Sequence, residues 1–468
     1  MKTRKRFTLH FWIVLLSCLF FVTGSHAQKS SPDELLVLNN VTVVDVRTGT
    51  LQPEQTVILQ RNRIASVGPS KSAKVPRNAP SVNCRGLFLI PGLWDMHVHL
   101  VFGDWFPGAR DISLPLFVAN GVTGVTGVRD MGSELDIVQG WRNEIEAGRL
   151  IGPRIYTPGP MLDGPKPRFP SSAAIATPED AHRAVADLKR RGADFIKLQS
   201  LIPRAAVLAI AEEARKQEIP FEGRVPDAVR AGEMSEAGMK SFEHLIGIFE
   251  GSSPAEDDFL KGNKTEGKFL ATYDVASAAA LASILAKNQT WQCPTLVWER
   301  GGNLIDVSDF SKDTRVKYVP ASWKDKTWKR FTEEITQGYG MDDLATRKKF
   351  VEKELEVVGM LHKTGVPFLA GTDTPAGVHI FPGYSLHEEL QRFVAAGFTP
   401  LEALQTATIN PARFSGSRIR PERPKKESLR TSSCSPPTLS TTLPTRRRLP
   451  PLSQTASTFI EPNSTTAA

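Results

Sequence analysis

Two kinds of hydrophobic pattern divide the chain. Residues 35–87 alternate apolar and polar positions over short runs separated by turn residues, as in "LLVLNNVTVVDV" and "QTVILQRNRIASVG". Alternation with a period of two is typical of strands that bury one face. This region therefore predicts the N-terminal part of a small β domain, which we interpret as an incomplete β-sandwich.

From residue 88 to residue 414, short apolar runs alternate with helical stretches. One such helix, "TPEDAHRAVADLKRRG", places Thr177 at the N-cap, Pro178 at the first helical position and Gly192 at its end. The apolar runs are "LFLIPGLWDMHVHL", "VTGVRDMG", "PRIYTPGP", "ADFIKLQS", "IPFEGRVP", "KSFEHLIG", "TWQCPTLVW" and "VPFLAGTD". Eight strand-helix repeats predict an α/β fold, a (β/α)8 TIM barrel.

Both ends of the chain differ from this body. Residues 1–27 combine a basic start, an apolar stretch and a small-residue exit, which predicts a signal peptide and a periplasmic or secreted protein. The apolar stretch is short for a membrane span, so we expect no stable membrane anchor. Ser, Thr and Pro make up half of residues 415–468, which have no strand or helix period and predict a disordered basic tail.

Charge and cysteine content argue against two classes of protein. The formal net charge is +8, but the excess of Lys and Arg lies in the signal peptide and in the tail, and the body between them is slightly acidic. We therefore expect no nucleic-acid partner. The cysteines outside the signal peptide, Cys84, Cys293 and Cys434, are odd in number and scattered, and do not indicate a disulfide framework.

Ligand-type side chains follow four of the eight predicted strands. His97 and His99 come from the first strand, Lys197 from the fourth, His244 from the sixth and Asp373 from the eighth. Residues two apart on a strand share a face, so both imidazoles point the same way. Taken singly, each residue has an ordinary structural explanation. Lys197 would be solvated at a strand end, each histidine would be hydrogen-bonded in the core, and Asp373 would belong to a turn. Catalytic groups of a barrel come from the C-terminal strand ends, and the coincidence there favours a metal site.

The chemistry of these residues suits zinc. Imidazoles and a carboxylate are ligands of Zn²⁺, whereas an ammonium offers no lone pair. Lys197 becomes a ligand only as its carbamate, formed with CO₂, which is able to bridge two metals. A metal-activated hydroxide would then attack a carbonyl. Asp373 would take a proton from the attacking water and pass it to the departing amine, which makes it the predicted catalytic residue.

The motifs "PGLWDMHVHL", "FIKLQ", "SFEHL" and "LAGTDTP" give residues 35–414 a resemblance to the metal-dependent amidohydrolase superfamily. The segments "GPMLDGPKPRFP" and "WQCPTLVW" are most similar to an exported branch near imidazolonepropionase-like and Xaa-Pro dipeptidase-like proteins. The resemblance implies a binuclear site. His97, His99 and Asp373 would hold one metal, carboxylated Lys197 would bridge, and histidines from strands five and six would hold the second.

The fifth strand departs from that pattern. It has "GRVP" where the family commonly has Gly-His-Val-Pro, so that Arg224 occupies a ligand position. Arginine has no lone pair to offer and repels a cation, so we expect a second metal site that is weak or empty. The alternative is that Arg224 grips a substrate carboxylate in a one-metal enzyme. No spare histidine is placed to substitute, since His182 and His362 lie on predicted helices and His379 and His387 follow strand eight.

Two further departures concern insertions and the reading frame. Gly-Val-Thr occurs twice in tandem, at residues 121–123 and 124–126, and we expect the preceding loop to absorb the extra triplet. Relatives end with a strand that completes the small domain, whereas this chain ends in the basic tail. A one-base deletion after the Phe414 codon would explain the difference, and the shifted frame allows a family-like ending. The gene sequence tests this hypothesis.

These observations predict a metal-dependent hydrolase of amide or related carbon-nitrogen bonds. Small peptides or N-acyl amino acids are the expected substrates, and a deaminase or imidazolone-type ring hydrolase stays open. The alternative is a catalytically impaired remnant or a non-catalytic binding protein, because Arg224 replaces a ligand and the C-terminus is altered. The sequence does not indicate the oligomeric state.

Overall fold

The computed structural model describes residues 35–60, 63–103, 105–119, 124–169, 171–307, 312–338 and 342–416. Three predictions fall on residues outside these ranges. They are the signal peptide, the first Gly-Val-Thr triplet, and the basic tail apart from Ser415 and Gly416.

A five-stranded sheet forms the first described part of the chain. Its strands are β1 (Leu35–Asp45), β2 (Thr50–Gln60), β3 (Arg63–Pro69), β4 (Ser81–Asn83) and β5 (Phe88–Leu89). β1 pairs antiparallel with β2 and parallel with both β4 and β5, and β3 lies on the far side of β2. The alternating pattern buries Leu38, Val41 and Val57 with Cys84 and Leu89 in a small core. The sheet thus extends through β5, just past residue 87.

The following strands are short, parallel and mostly buried. They are β6 (Leu93–Val98), β7 (Val125–Asp130), β8 (Arg154–Tyr156), β9 (Met161–Asp163), β10 (Ser172–Ala174), β11 (Ile196–Leu198), β12 (Phe221–Gly223), β13 (Ser241–Glu243) and β14 (Trp291–Cys293). One sheet has the order β6-β7-β8 and another the order β10-β9-β11-β12-β13-β14. Seven of these strands match predicted ones, whereas β9 and β10 are additional short strands.

The eighth predicted strand forms isolated bridges rather than a regular strand. Phe368 bridges in parallel to Gln292 of β14, and Thr374 bridges in parallel to Val98 of β6. This segment therefore links the last strand to the first, as the closing strand of a barrel does. The prediction of a parallel α/β barrel agrees with this arrangement.

The tandem Gly-Val-Thr affects strand pairing beside β6. The ladder pairs Leu93 with Val125 and then Trp94 with Gly127, so that Thr126 is skipped. A Cβ atom on Gly92 would lie 2.0 Å from the Thr126 Oγ1 atom, so only glycine fits there. The pairing of β7 with β6 is therefore irregular at Thr126, the last residue of the second triplet.

Helices cover the strands in sequence order. They are α1 (Ala109–Ala119), α2 (Leu135–Glu146), α3 (Pro178–Arg190), α4 (Arg204–Lys216), α5 (Ala231–Glu236), α6 (Ile248–Gly251), α7 (Glu256–Phe259), α8 (Glu266–Thr272), α9 (Val275–Lys287), α10 (Leu296–Asn303), α11 (Lys329–Gly338), α12 (Leu344–Lys363), α13 (Ser385–Ala395), α14 (Pro400–Thr406) and α15 (Ile409–Ser415). The Thr177 cap of α3 is confirmed, because its side chain accepts a hydrogen bond from the Asp180 amide.

Within the described ranges, none of the helices on its own has the length and apolar character of a membrane span. A sharply bent pair, α8 with α9, passes that test of length and composition only when the two are joined.

Candidate metal centre and active-site cavity

A cavity of about 330 Å³ collects the predicted site residues. Six of them line it: His97, His99, Lys197, Arg224, His244 and Asp373. None of the other histidines considered above lines it, among the described residues. His182 and His362 lie on α3 and α12, and His379 and His387 follow the eighth strand.

His97 and His99 present their rings to the same side of β6, toward Asp373. Their Nε2 atoms lie 3.3 Å and 3.1 Å from the Asp373 Oδ1 atom. The Asp373 amide donates to the His97 carbonyl oxygen over 2.7 Å, which fixes the eighth segment against β6. Gly371 permits this approach, because a Cβ atom there would lie 2.7 Å from the Cβ atom of His97. Asp373 itself has a φ of +61°, a constrained backbone typical of functional sites.

Two of the facing atoms in this group lack hydrogen-bond partners. Within the described residues, neither His97 Nε2 nor Asp373 Oδ1 has one, although both atoms are buried. One donor atom from each of His97, His99 and Asp373 lies within 4.8 Å of the others. Buried polar atoms without partners are rare and costly, and a shared metal ion would satisfy them. The residues present therefore fit a metal of the zinc type.

A buried network of charged side chains contacts the Nδ1 side of the His97 ring. Its Nδ1 atom lies 2.8 Å from Glu243 Oε2, and Glu243 in turn lies 2.9 Å from the guanidinium of Arg129. Arg129 also pairs with Glu222 at 2.8 Å and donates to the Met96 carbonyl oxygen. With Nδ1 engaged, the Nε2 atom of His97 is the one directed into the cavity.

The charges of this network decide the protonation of Glu243. Burial, the largest single influence, opposes its ionisation, but Arg129, His97 and Lys197 together outweigh burial and lower the pKa of Glu243 to about 2. Sequence reasoning did not single out Arg129, Glu222 or Glu243. The available signal was a charged residue inside each of three apolar strands, β7, β12 and β13.

Asp373 is held as a carboxylate. Burial disfavours its charge, but the neighbouring imidazoles of His97 and His99 favour the carboxylate and hold the pKa of this carboxyl well below its usual range. Its second oxygen, Oδ2, lies 4.0 Å from His244 Nε2. Asp373 is therefore ionised, with one oxygen facing His97 and His99 and the other facing His244.

Lys197 and His244 approach the same cavity from β11 and from the end of β13. The Nζ atom of Lys197 is buried and has no hydrogen-bond partner among the described residues. Burial lowers the pKa of Lys197 to about 7, and the charge of Arg224 acts in the same direction. The Nδ1 atom of His244 lies 2.7 Å from Thr295 Oγ1, and burial together with Arg224 lowers its pKa well below the usual value.

Arg224 follows β12 directly and extends into the cavity. Its amide donates to the Leu198 carbonyl oxygen over 3.1 Å, and its guanidinium lies 5.8 Å from the centre of the Phe169 ring. Gly223 before it has a φ of +128°, and a Cβ atom there would lie 2.8 Å from the Lys197 side chain. The structure therefore places an arginine beside Lys197 and His244.

Aromatic and acidic side chains complete the wall. Glu299 and Trp298 come from α10, whose first amides donate to the buried carboxyl group of Glu389. Burial and the nearby Glu354 raise the pKa of Glu299 well above its usual value. Apolar contact surface comes from Phe102, Phe169, Phe269 and Phe331.

Comparison with known proteins assigns the family. The model of the Amidohydrolase family matches residues 88–419. The chain belongs to the amidohydrolase family. This match confirms the predicted family and the TIM-barrel fold class, and amidohydrolases as a family act on carbon-nitrogen bonds and generally depend on metals.

Individual relatives are more distant. Adenine deaminase of Ruegeria pomeroyi is 26% identical over 162 residues, which is 32% of this chain and 24% of that protein. The match thus spans about a quarter of that curated relative.

Two amidohydrolase structures share the fold. The bottromycin amidohydrolase AH has a TM-score of 0.60 and 22% identity, over 82% of this chain and 78% of that chain. An Xaa-Pro dipeptidase with bound methionine in its active site has a TM-score of 0.56 and 17% identity, over 81% of this chain and 87% of that chain.

Proposed function

We propose that this amidohydrolase is a metal-dependent hydrolase of amide bonds in small peptides or N-acyl amino acids. The observation that carries the proposal is the convergence of His97, His99 and Asp373, whose buried facing atoms include two without partners. The family assignment and the fold shared with an Xaa-Pro dipeptidase support it.

His97, His99 and Asp373 would hold the first zinc ion. Lys197, once carboxylated, would join His244 in holding a second ion, but the fixed charge of Arg224 opposes a cation there. A bound zinc ion would lower the pKa of water and polarise the scissile carbonyl. Glu243 and Arg129 hold His97 so that its Nε2 atom faces the substrate side.

In the proposed reaction, Asp373 transfers the proton from the attacking water to the departing amine. Its Oδ2 atom accepts a proton from the attacking water and delivers it to the nitrogen of the departing amine. The aromatic walls from Phe102, Phe331 and Trp298 exclude bulk water around the scissile bond.

The alternative is an impaired enzyme or a binding protein. The observation that favours it is the guanidinium of Arg224, which occupies the cavity where relatives have a ligand. Metal analysis of the purified chain separates the possibilities. About two ions per chain support a binuclear enzyme, about one a mononuclear enzyme, and none the remnant.

Activity is tested on zinc-loaded protein with a panel of dipeptides and N-acyl amino acids. We expect amine release that stops in an Asp373→Asn variant. Adenine belongs in the same panel, since a curated relative is an adenine deaminase, and ammonia release would identify a deaminase instead. No turnover on any substrate together with no bound metal would contradict the proposal.

Export and the altered C-terminus remain part of the proposal. Residues 1–27 would direct the protein to the periplasm or the medium, which fractionation of expressing cells measures. A restored reading frame after Phe414 would add a strand to the small β domain and cover exposed sheet surface. We expect the restored chain to aggregate less, and equal solubility of the two chains would count against a lost strand.

A further inference from the structure

The cavity contains a cation that the metal-binding and proton-transfer roles proposed above do not use. Arg224 lines it, and its Nε atom is buried without a hydrogen-bond partner. Across the part of the chain that the structure describes, the guanidinium forms no ion pair within 4.0 Å. Glu266 and Glu299 line the same cavity, yet neither comes that close.

We propose that Arg224 binds the free carboxylate of the substrate, so that the substrates are dipeptides or N-acyl amino acids with an uncapped C-terminus. This inference rests on the proposed function and deepens it. A guanidinium matches the geometry of a carboxylate with two parallel hydrogen bonds, and a buried donor without a partner is costly until an anion arrives.

A second cation of the cavity, Lys264, differs from Arg224 because the protein already pairs it. The Nζ atom of Lys264 lies 2.8 Å from Asp227 Oδ1 and 3.1 Å from Glu250 Oε1. The charge of Lys264 is thus already neutralised by the protein. Arg129, deeper in the barrel, is likewise paired with two carboxylates. Among these three cations, only Arg224 has its charge available for a ligand.

The surroundings of Arg224 suit the other parts of such a substrate. Its guanidinium lies 5.8 Å from the centre of the Phe169 ring, which also has the Arg168 guanidinium at 5.1 Å. Further aromatic wall comes from Phe102 and Phe331. A cavity of about 330 Å³ holds a small acylated amino acid, with the carboxylate at the cationic side and apolar groups against the rings.

The experiment measures binding rather than turnover. The probes are N-benzenesulfonyl-alanine and N-benzenesulfonyl-alaninol, which differ in a carboxylate and share a sulfonamide in place of the acyl group. Isothermal titration of the full chain gives both dissociation constants. We expect the carboxylate to bind at least about 10-fold more tightly, as a charge-assisted pair allows. Arg224→Gln should reduce the ratio to near one, and Arg224→Lys should restore part of it.

Lys264→Gln is the matched control, because it removes a cation of the same cavity whose charge is already paired. It should keep the preference for the carboxylate, and thermal melting confirms that each variant is folded. The inference is overturned if the native chain does not distinguish the probes, or if Arg224→Gln keeps the preference. Hydrolysis of capped amides as fast as free acids would overturn it while leaving the proposed function intact.

Discussion

The two halves of the cavity differ in charge more than in placement. The histidine half consists of His97, His99 and Asp373, and the arginine half consists of Lys197, Arg224 and His244. Both halves come from the ends of barrel strands and line one cavity. The histidine half pairs imidazoles with a carboxylate, whereas the arginine half places a fixed cation beside a lysine and a histidine. Position on the barrel therefore does not by itself make a metal ligand.

The difference is visible in the groups behind each half. His97 is backed by Glu243, whose negative charge favours a metal-binding imidazole. Glu243 also favours the charged form of Lys197, but burial, the largest influence, and the charges of Arg224 and Arg129 outweigh it and lower the pKa of Lys197 to about 7. The charges around the histidine half thus favour a bound cation, whereas the fixed charge of Arg224 in the arginine half disfavours a second one.

The largest expected effect is loss of metal from the histidine half. We expect His97→Ala, His99→Ala or Asp373→Ala to remove all bound metal and any activity, because each takes away one of three converging ligand atoms. Mass spectrometry of the metal content measures it. His182→Ala is the control, since that histidine lies outside the cavity and pairs with Glu213. Full metal content in the first three variants would show that the site is elsewhere.

The next largest effect concerns the network that both halves share. We expect Arg129→Met to lower the free energy of unfolding by about 3–5 kcal/mol, because Glu222 and Glu243 would stay buried without a counter-charge. Urea denaturation measures it. Adding Glu222→Gln and Glu243→Gln to the same chain should recover part of the loss. If Arg129→Met alone is as stable as the native chain, the network does not support the barrel.

The sequence predicted the histidine half well because its information is local. The spacing of His97 and His99 specifies a shared face on any strand. The charge network was missed because its pairs are distant in sequence. Arg129 lies 93 positions from Glu222 and 114 from Glu243, and single apolar strands with one charge do not reveal the partner.

The eighth strand shows a second limit of the pattern. Its apolar run predicts burial, which is observed for Phe368, Leu369 and Ala370. The pattern does not specify hydrogen bonding, and the segment forms only isolated bridges at Phe368 and Thr374, with Asp373 between them at a positive φ. Apolar periodicity thus located the segment, while the local backbone was set by contacts with β6 and β14.

A moderate effect is expected from converting the arginine half. We expect Arg224→His to raise the metal content toward two ions per chain, because it removes a fixed cation and supplies a lone pair. The same change should raise the KM for substrates with a free carboxylate, because the guanidinium that binds the carboxylate is lost. At about 4 Å and an effective dielectric near 20, two unit charges interact by about 4 kcal/mol, and a divalent ion by more. Unchanged metal content would show that position 224 does not limit a second metal, and an unchanged KM would count against carboxylate binding by Arg224.

The smallest effect tests how the α10 wall of the arginine half is held. Glu389 accepts hydrogen bonds from the Leu296 and Val297 amides at 3.0 Å and 2.9 Å, and burial raises its pKa to about 8. From its ordinary value of 4.5 up to about 8, the folded chain keeps a proton that the unfolded chain has released. The free energy of unfolding therefore falls as pH rises through this window. We expect Glu389→Gln to reduce the fall in melting temperature between pH 5 and pH 8. Part of the dependence of melting temperature on pH should remain, because burial also raises the pKa of Glu354 to about 8. The exposed Glu352→Gln is the control, and an unchanged slope in Glu389→Gln would show that Glu389 keeps its charge and caps α10 as a carboxylate.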